Sequence, residues 1–272
     1  MTSVALSGGT ATRSRIAQLI AAYPLIVFFF LAYALAWIVT IPMVVFRAPI
    51  ELTAVASFAP TMAALLTHRV ATGSYRAFRI HTRWSNMLVG SIVGIALVLL
   101  AYVVLPGVTT ADPRTLQWSI LASLAVYNLS TLLGGPLGEE PGWRGYALPR
   151  LEARFPPLAA TLVLAALWAG WHAPLFFYPG WTSAEPWIYF LIVVGLSVIL
   201  TYATNLARFS VLAPIAIHAI FNTVSRFLAG LFADASPTVQ IPFTLVLAVS
   251  GIVVAAILLL VTKGRLGYRA GG

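Results

Sequence analysis

The stretch VQIPFTLVLAVSGIVVAAILLLVT, residues 239–262, runs for 24 residues without a charged side chain. A helix needs about 20 apolar residues to cross the hydrocarbon core of a bilayer. Seven earlier stretches are similarly long and rich in Leu, Val, Ile and Ala: approximately 20–45, 50–67, 86–105, 117–138, 157–178, 187–205 and 210–232. None alternates as a transmembrane β-strand does, so we predict an all-α, polytopic membrane protein of about eight transmembrane helices.

The composition agrees with a chain that lies mostly inside a bilayer. Hydrophobic residues make up 60% of it and charged residues 8%, and the mean hydropathy is +0.94. So little polar surface cannot cover a soluble globule. The longest polar stretches, 68–85 and 139–156, are too short for a soluble domain, so we predict one membrane domain over residues 1–272. The chain has no cysteine, which excludes disulfides, thiol catalysis and thiolate metal sites.

Positive charge indicates the orientation, because short cytoplasmic loops carry an excess of Lys and Arg. With the N-terminus inside, 13 of the 16 basic residues fall on the inner side: Arg13, Arg15, Arg69, Arg76, Arg79, Arg83, Arg144, Arg150, Arg154, Arg208, Lys263, Arg265 and Arg269. We therefore predict a multi-pass protein of the cell (inner) membrane with both termini cytoplasmic. The cations are spread over every inner loop instead of forming one patch, which favours anionic lipid headgroups over nucleic acid as their partner.

Ionisable and strongly polar residues within membrane helices are costly to bury and often functional. The candidates in this chain are Glu139, Glu140, His172, His218, Asn222 and Arg226. His218 and Asn222 are four residues apart and so share one helix face. Each residue alone has a structural explanation: a membrane histidine or asparagine bonds a neighbouring helix, and Arg226 reaches the outer interface or meets Asp234.

Together these groups favour a hydrolase that activates water. A carboxylate and an imidazole would raise the basicity of a bound water, and His218 with Asn222 would hold an oxyanion. A glutamate with two histidines could instead bind a divalent metal such as zinc, with an open position for water. The sequence leaves the metal-bound and the metal-free mechanism equally open.

The local backbone around the glutamates carries two further signals. Arg144 follows Glu140 by four residues, the spacing of a charge pair on one helix face. Pro141 disfavours the α conformation of Glu140, so we predict a helix break there, with Pro141 in the first turn of a new helix. Residues 143–155 mix arginines with apolar side chains, which predicts a short interfacial helix along the inner face.

The polar residues can form one site only if they lie at a similar depth in the membrane. His172 lies about 22 Å into a straight fifth span that starts near residue 157, whereas Glu139 ends the fourth span near the inner face. Either the fifth span starts later, or a break at Gly134-Gly135-Pro136 sets the glutamates deeper, and we expect some of both. We predict that both carboxylates and both imidazoles converge within roughly 10 Å.

These residues resemble the motifs of the CPBP intramembrane metalloproteases, also called the type II CAAX prenyl endopeptidase and bacterial Abi family. The family pattern is Glu-Glu-x-x-x-Arg, then an aromatic residue four positions before His, then His four positions before Asn or Asp. In this chain the three motifs are Glu139-Glu140-x-x-x-Arg144, Trp168-x-x-x-His172 and His218-x-x-x-Asn222. They lie in the family's order, within a core of about residues 118–226. Trp168 stands where phenylalanine is more usual, and we expect it to serve as a packing aromatic.

The resemblance implies an endopeptidase of eight helices whose cavity is reached from the cytoplasmic side. It implies that Glu139 and His172 activate water and that His218 and Asn222 stabilise the oxyanion. The expected substrate is a peptide or a membrane-protein segment. Nothing in the sequence specifies a cavity for a prenyl group.

The resemblance also implies supporting roles. Glu140 and Arg144 would complete the first motif and support the catalytic groups. If a metal is bound, its ligands would be Glu139, His172 and His218, and otherwise the same three residues would act directly on water.

Two other classes of protein use membrane-embedded Glu and His. A transporter or proton-relay protein is one, but the polar groups cluster in the second half of the chain without a matching set in the first. A catalytically silent membrane scaffold is the other, and the intact motifs argue against it.

Overall fold

The computed structural model describes residues 14–80, 83–103, 131–233 and 243–269. Within these ranges the regular elements are helices, which confirms the predicted all-α membrane fold. They are α1 (Arg15–Ala22), α2 (Pro24–Val45), α3 (Thr53–Ser57), α4 (Ala59–Thr72), α5 (Trp84–Val103), α6 (Pro136–Glu140), α7 (Leu148–Glu152), α8 (Pro157–Trp171), α9 (Pro186–Leu206), α10 (Leu212–Ala233) and α11 (Phe243–Thr262). The 3₁₀ turns Ile50–Leu52 and Ala173–Phe177 and a π-helical segment, Pro141–Ala147, connect some of them.

Several helical stretches are long and apolar enough to cross a bilayer. Among the described residues there are five: Pro24–Val45, Ile50–Thr72, Pro157–Phe177, Pro186–Leu206 and Phe243–Thr262. Helix α5 adds a shorter apolar stretch, and most of the predicted run 117–138 lies outside the described residues. Large apolar side chains such as Phe30, Ile38 and Leu260 are 70%, 73% and 78% exposed, which is typical of surface that faces lipid.

One end of the helix bundle gathers the basic loops. The backbone N–H of Val211 donates to the carbonyl of Arg79 at 3.0 Å, which joins the loop after α4 to the turn after α9. The side chain of Asn205 donates to the carbonyl of Leu266 at 2.9 Å and so ties down the tail after α11. We call this the arginine-rich end and define it by residues 73–80, 150–154, 207–211 and 263–269.

The other end of the bundle carries the turns that follow α2 and α8. The hydroxyl of Tyr178 donates to the carbonyl of Ala48 at 3.0 Å and links these two turns. We call this the far end and define it by residues 46–52 and 173–185. Since α2, α8 and α10 run from the arginine-rich end to the far end, position along these helices measures depth in the bundle.

The helix that carries the glutamates begins earlier than predicted. Gly135, at φ −167° and ψ −89°, interrupts the chain, and α6 starts at Pro136. The predicted break at Glu140 is wrong, because Glu140 has helical angles of −64° and −35°. The chain instead widens to a π-helix at Pro141, where the proline ring and its missing N–H are tolerated in a single wide turn.

The predicted interfacial helix over 143–155 is also wrong for its first half. Trp143, Arg144 and Leu148 are 0% exposed, so this segment lies inside the bundle. The ring of Trp143 packs edge-on against Phe28 at a centroid distance of 5.5 Å. The alternation of arginine and apolar residues looked interfacial in the sequence, but the Arg144 side chain points into the protein and finds its partners there.

Two glycines, one in α6 and one in the π-helical segment, allow this part of the chain to approach its neighbours closely. A Cβ atom on Gly138 would lie 2.6 Å from the carbonyl oxygen of Ser57, and one on Gly142 would lie 2.4 Å from the carbonyl carbon of Pro60. The hydroxyl of Thr61 donates to the carbonyl of Gly138 at 2.6 Å. This backbone-to-backbone packing fixes the depth of the glutamates.

Candidate active site

The break at Gly135 explains how Glu139 reaches the histidines. Helix α8 begins at Pro157 as predicted, so a later start of the fifth span is not the solution. Of the two expected effects only the helix break is present: α6 starts beyond it and places Glu139 beside Trp168, in the last turn of α8. The expected convergence of glutamates and imidazoles is present, and Trp168 lies at its centre.

Trp168 contacts the other motif residues through different parts of its side chain. Its indole N–H donates to Oε2 of Glu139 at 2.7 Å. The guanidinium carbon of Arg144 lies 4.2 Å from the centre of the indole ring, a cation–π contact. The imidazole of His218 meets the same ring edge-on at a centroid distance of 5.2 Å. A single buried indole thus orients one carboxylate, one guanidinium and one imidazole.

Glu140 forms a buried ion pair behind the indole. Its Oε1 accepts from Arg144 at 3.0 Å and lies 2.7 Å from Nδ1 of His218. Both Glu140 and Arg144 are 0% exposed, and Arg144 also donates to the hydroxyl of Ser197 at 3.1 Å. An ionised carboxylate only accepts, so Nδ1 of His218 carries a proton and Nε2 is directed away from Glu140. The charge pair predicted from the four-residue spacing is present.

His172 is held at the end of α8 by backbone and aromatic contacts. Its Nδ1 lies 2.9 Å from the carbonyl oxygen of Trp168, and because a carbonyl only accepts, this nitrogen carries the proton. The ring packs edge-on against Trp171 at 4.7 Å and Tyr189 at 5.4 Å, and it stacks on Trp181 at 5.8 Å. The lone pair of Nε2 is therefore available to accept a proton or bind a ligand.

The motif residues line one cavity of about 260 Å³. Glu139, Trp168, His172, His218 and Asn222 all contribute to its wall. The remaining wall includes the second half of α2, helix α3, the first half of α9 and residues of the far end, so the cavity lies nearer the far end than the basic loops.

Asn222 and Arg226 extend the cavity wall along α10. A Cβ atom on Gly135 would lie 3.3 Å from Oε1 of Glu139 and 3.7 Å from Nδ2 of Asn222, so both polar atoms face this glycine. Arg226 is exposed and also lines the cavity, one turn nearer the far end. The sequence interpretation of Arg226 as a structural residue at the outer interface did not place it on this wall, and its suggested partner Asp234 lies outside the described residues.

Comparison with known proteins covers this same part of the chain. Residues 117–224 match the sequence model of the type II CAAX prenyl endopeptidase Rce1-like family. The match contains all three motifs. This region is therefore similar to the Rce1-like (CPBP) family. A similar protein, CAAX prenyl protease 2 of Methanococcus maripaludis, is 30% identical over 99 residues, which are 34% of this chain and 36% of the relative. The chain therefore matches about a third of that relative's length.

Within this Rce1-like region, sequence reasoning missed two residues that hold the motif side chains in place. Trp168 was expected to be a packing aromatic, but it also donates a hydrogen bond to Glu139. A signal was present, because tryptophan differs from the more usual phenylalanine by an N–H donor. Ser197, which accepts from Arg144, carried no signal, since a serine in an apolar helix normally bonds its own backbone.

Glu139, His172 and His218 are the ligands predicted for a bound metal. In the described ranges no three His, Asp or Glu side chains come close enough together to form a metal-binding group. The donor types suit zinc, because Nδ1 of each imidazole already faces an acceptor and leaves Nε2 free. Glu139, His172 and His218 do not form a coordination group in this conformation.

Proposed function

We propose that this protein is an intramembrane endopeptidase that hydrolyses a peptide bond in a peptide or membrane-protein segment. The observation that carries the proposal is the position of Trp168, which binds Glu139 through its indole N–H and His172 through its carbonyl oxygen at the wall of one cavity. A carboxylate and an imidazole held on one rigid residue are suited to bind the same water molecule.

In the proposed reaction, Glu139 and His172 orient and activate the water. The oxygen of water attacks the carbonyl carbon of the substrate, and Glu139 takes the proton that water loses. Trp168 occupies Oε2 of Glu139, which leaves Oε1, the atom near Gly135, to act as the base. The C–N bond then breaks, its electron pair stays on nitrogen, and that nitrogen takes the proton back from Glu139. The products are a carboxylic acid and an amine.

The negative charge of the intermediate needs donors on the opposite wall. We propose that Nε2 of His218 and Nδ2 of Asn222 bind this oxyanion, since both side chains line the cavity. Glu140 accepts from Nδ1 of His218 and so stabilises the imidazolium that can donate through Nε2. Arg144 keeps Glu140 in place, which gives the first motif its supporting role.

The direction of the cavity bears on the side of the membrane from which substrate enters. The predicted orientation places the basic loops in the cytoplasm, but the residues that line the cavity lie nearer the far end. If substrate enters through that end, the predicted orientation and the predicted cytoplasmic-side site are alternatives. We propose that the basic loops are cytoplasmic and that substrate enters from the opposite side, because 13 of 16 cations support the orientation.

The proposed activity is tested with purified protein and a panel of paired peptides. Because the similar archaeal protein is named a CAAX prenyl protease, each peptide is offered with and without a farnesyl group. We expect Glu139→Gln and His172→Ala to lower cleavage by about 100-fold or more. Matched controls are Glu51→Gln and His68→Ala, whose side chains do not line the cavity. Equal cleavage by the wild type and both site variants would refute the proposal.

A chelator distinguishes the two forms of the mechanism. Activity that survives chelation but is lost in both site variants supports direct activation of water by Glu139 and His172. Activity that is lost on chelation and restored by zinc supports a metal held by Glu139, His172 and His218.

A further inference from the structure

We propose that a cavity at the arginine-rich end is a binding site for the phosphate of an anionic phospholipid headgroup. The cavity has a volume of about 570 Å³ and lies apart from the candidate active site. Its lining is basic and aromatic: Arg76, Ala77, Phe78, Arg79, Gly145, Pro149, Arg150, Phe209, Tyr268 and Arg269. These arginines belong to separate segments of the sequence, and the fold brings four of them to the wall of this one cavity.

The walls of this cavity are tied to each other by hydrogen bonds. Ser210 donates its hydroxyl to the carbonyl of Ile80 at 2.8 Å, beside the backbone bond from Val211 to Arg79. Asn205 holds the tail through Leu266, whose side chain is 0% exposed, and this brings the following residues to the cavity. Since three distant segments are joined, the arrangement of the arginines is a property of the fold.

Positive charge dominates the lining of this cavity. Four guanidinium groups line it and, among the residues that the structure describes, no acidic side chain does. Glu152, the acidic residue nearest to Arg150 in the sequence, accepts a hydrogen bond from Asn205 at 2.9 Å, and it does not line the cavity. Like charges brought together repel each other, and a bound anion would remove that cost. The lining therefore selects a negatively charged ligand.

One of the arginines is already oriented. Arg150 donates to the carbonyl of Tyr146 at 2.8 Å, and its guanidinium carbon lies 3.7 Å from the centre of the Tyr146 ring. A guanidinium has five N–H donors, so Arg150 keeps donors for a ligand after making this bond. The planar fork of arginine matches the oxygens of a phosphate, which it binds with two parallel hydrogen bonds.

The position of the cavity identifies the source of the phosphate. It lies at the end of the bundle where the membrane helices stop, which is the level of the lipid headgroups. Phe78, Phe209 and Tyr268 supply apolar and amphipathic surface beside the arginines, as suits the boundary between headgroup and acyl chain. A phospholipid satisfies both features, whereas free phosphate would use the arginines alone.

The proposal is tested by titrating the purified protein with phosphatidylglycerol, phosphatidylcholine or inorganic phosphate. Native mass spectrometry measures the bound ligand, and thermal unfolding measures the change in Tm. We expect phosphatidylglycerol to bind and to raise the Tm, and phosphatidylcholine and inorganic phosphate to have little effect. The double variant Arg79→Gln/Arg269→Gln should bind phosphatidylglycerol about tenfold more weakly. The matched control Arg154→Gln/Arg265→Gln removes the same charge outside the cavity and should bind like the wild type.

Each contrary result has a definite meaning. Equal weakening in both double variants would show general attraction to the basic face and overturn the site. Equal stabilisation by inorganic phosphate would show that free phosphate, not lipid, is the ligand. The measurement needs no enzymatic activity, so its outcome is independent of the proposed peptidase function.

Discussion

The indole N–H of Trp168 lies 2.7 Å from Oε2 of Glu139, and the carbonyl oxygen of the same residue lies 2.9 Å from Nδ1 of His172. One residue thus fixes the relative position of the two groups that are proposed to activate water. The indole bond also determines which oxygen of Glu139 faces the cavity. Precise positioning of a general base accounts for a large part of its effect, so this contact is open to a direct test.

Trp168→Phe should lower kcat while leaving the fold intact. Phenylalanine keeps an aromatic ring for packing but removes the donor to Glu139. A hydrogen bond to a charged group contributes about 1.5 to 3 kcal/mol, so we expect kcat to fall about tenfold or more, with a smaller change in KM. The Tm of the purified variant, measured in parallel, should stay close to that of the wild type. Unchanged kcat would reduce Trp168 to the packing residue that the sequence suggested.

The buried pair of Glu140 and Arg144 should show strong coupling in stability. Glu140→Gln leaves a guanidinium that is 0% exposed with no carboxylate partner, and breaking such a pair costs about 3 to 5 kcal/mol. The double variant Glu140→Gln/Arg144→Met removes the stranded charge as well. We expect it to unfold at a higher temperature than Glu140→Gln alone. If the two substitutions lower the Tm additively, the pair is not coupled.

Some of this site could be predicted from the sequence, because its spacings are local. Four-residue separations on a helix place Glu140 beside Arg144 and His218 on the same face as Asn222, whatever the tertiary structure does. The long apolar runs likewise predict membrane helices from composition alone. These features depend on neighbours within one or two turns.

The rest depends on contacts between distant segments. Pro141 predicted a helix break, but close packing of Gly142 on Pro60 and a π-helical turn carry the helix through it. The indole N–H of Trp168 can bind Glu139 only because α8 packs against α6. The arginines of the basic cavity come together only through the bonds that join loops and tail. Contacts between such distant segments leave no recognisable pattern in a single sequence.

Glu152 should make stability depend on pH. It is the last residue of α7, outside the candidate membrane spans, and burial raises its pKa from an ordinary 4.5 to about 7, against the opposing effect of the hydrogen bond from Asn205. Its second oxygen has no hydrogen-bond partner among the described residues. The folded protein therefore holds a proton that the unfolded chain releases between about pH 4.5 and 7, and stability falls as the pH rises through this window.

Glu152→Gln removes that titration while keeping an oxygen that can accept from Asn205. At pH 5 the variant and the wild type should have similar Tm values. At pH 8 the variant should be more stable, by an amount that approaches about 3 kcal/mol for a pKa raised this far. The difference between the two proteins isolates Glu152 from other titrating groups. A difference in Tm that is constant from pH 5 to pH 8 would contradict the raised pKa.

The side on which the cavity opens can be measured because the chain has no cysteine of its own. Ser183→Cys places a thiol at the far end and Ala153→Cys places one at the arginine-rich end, and both positions are exposed. In intact cells, a membrane-impermeant maleimide should label Ser183→Cys at once and Ala153→Cys only after the membrane is permeabilised. This result follows if the basic loops are cytoplasmic, and it would mean that substrate enters the cavity from outside the cytoplasm. The reverse labelling pattern would place the cavity mouth in the cytoplasm and the arginines outside, against the charge bias.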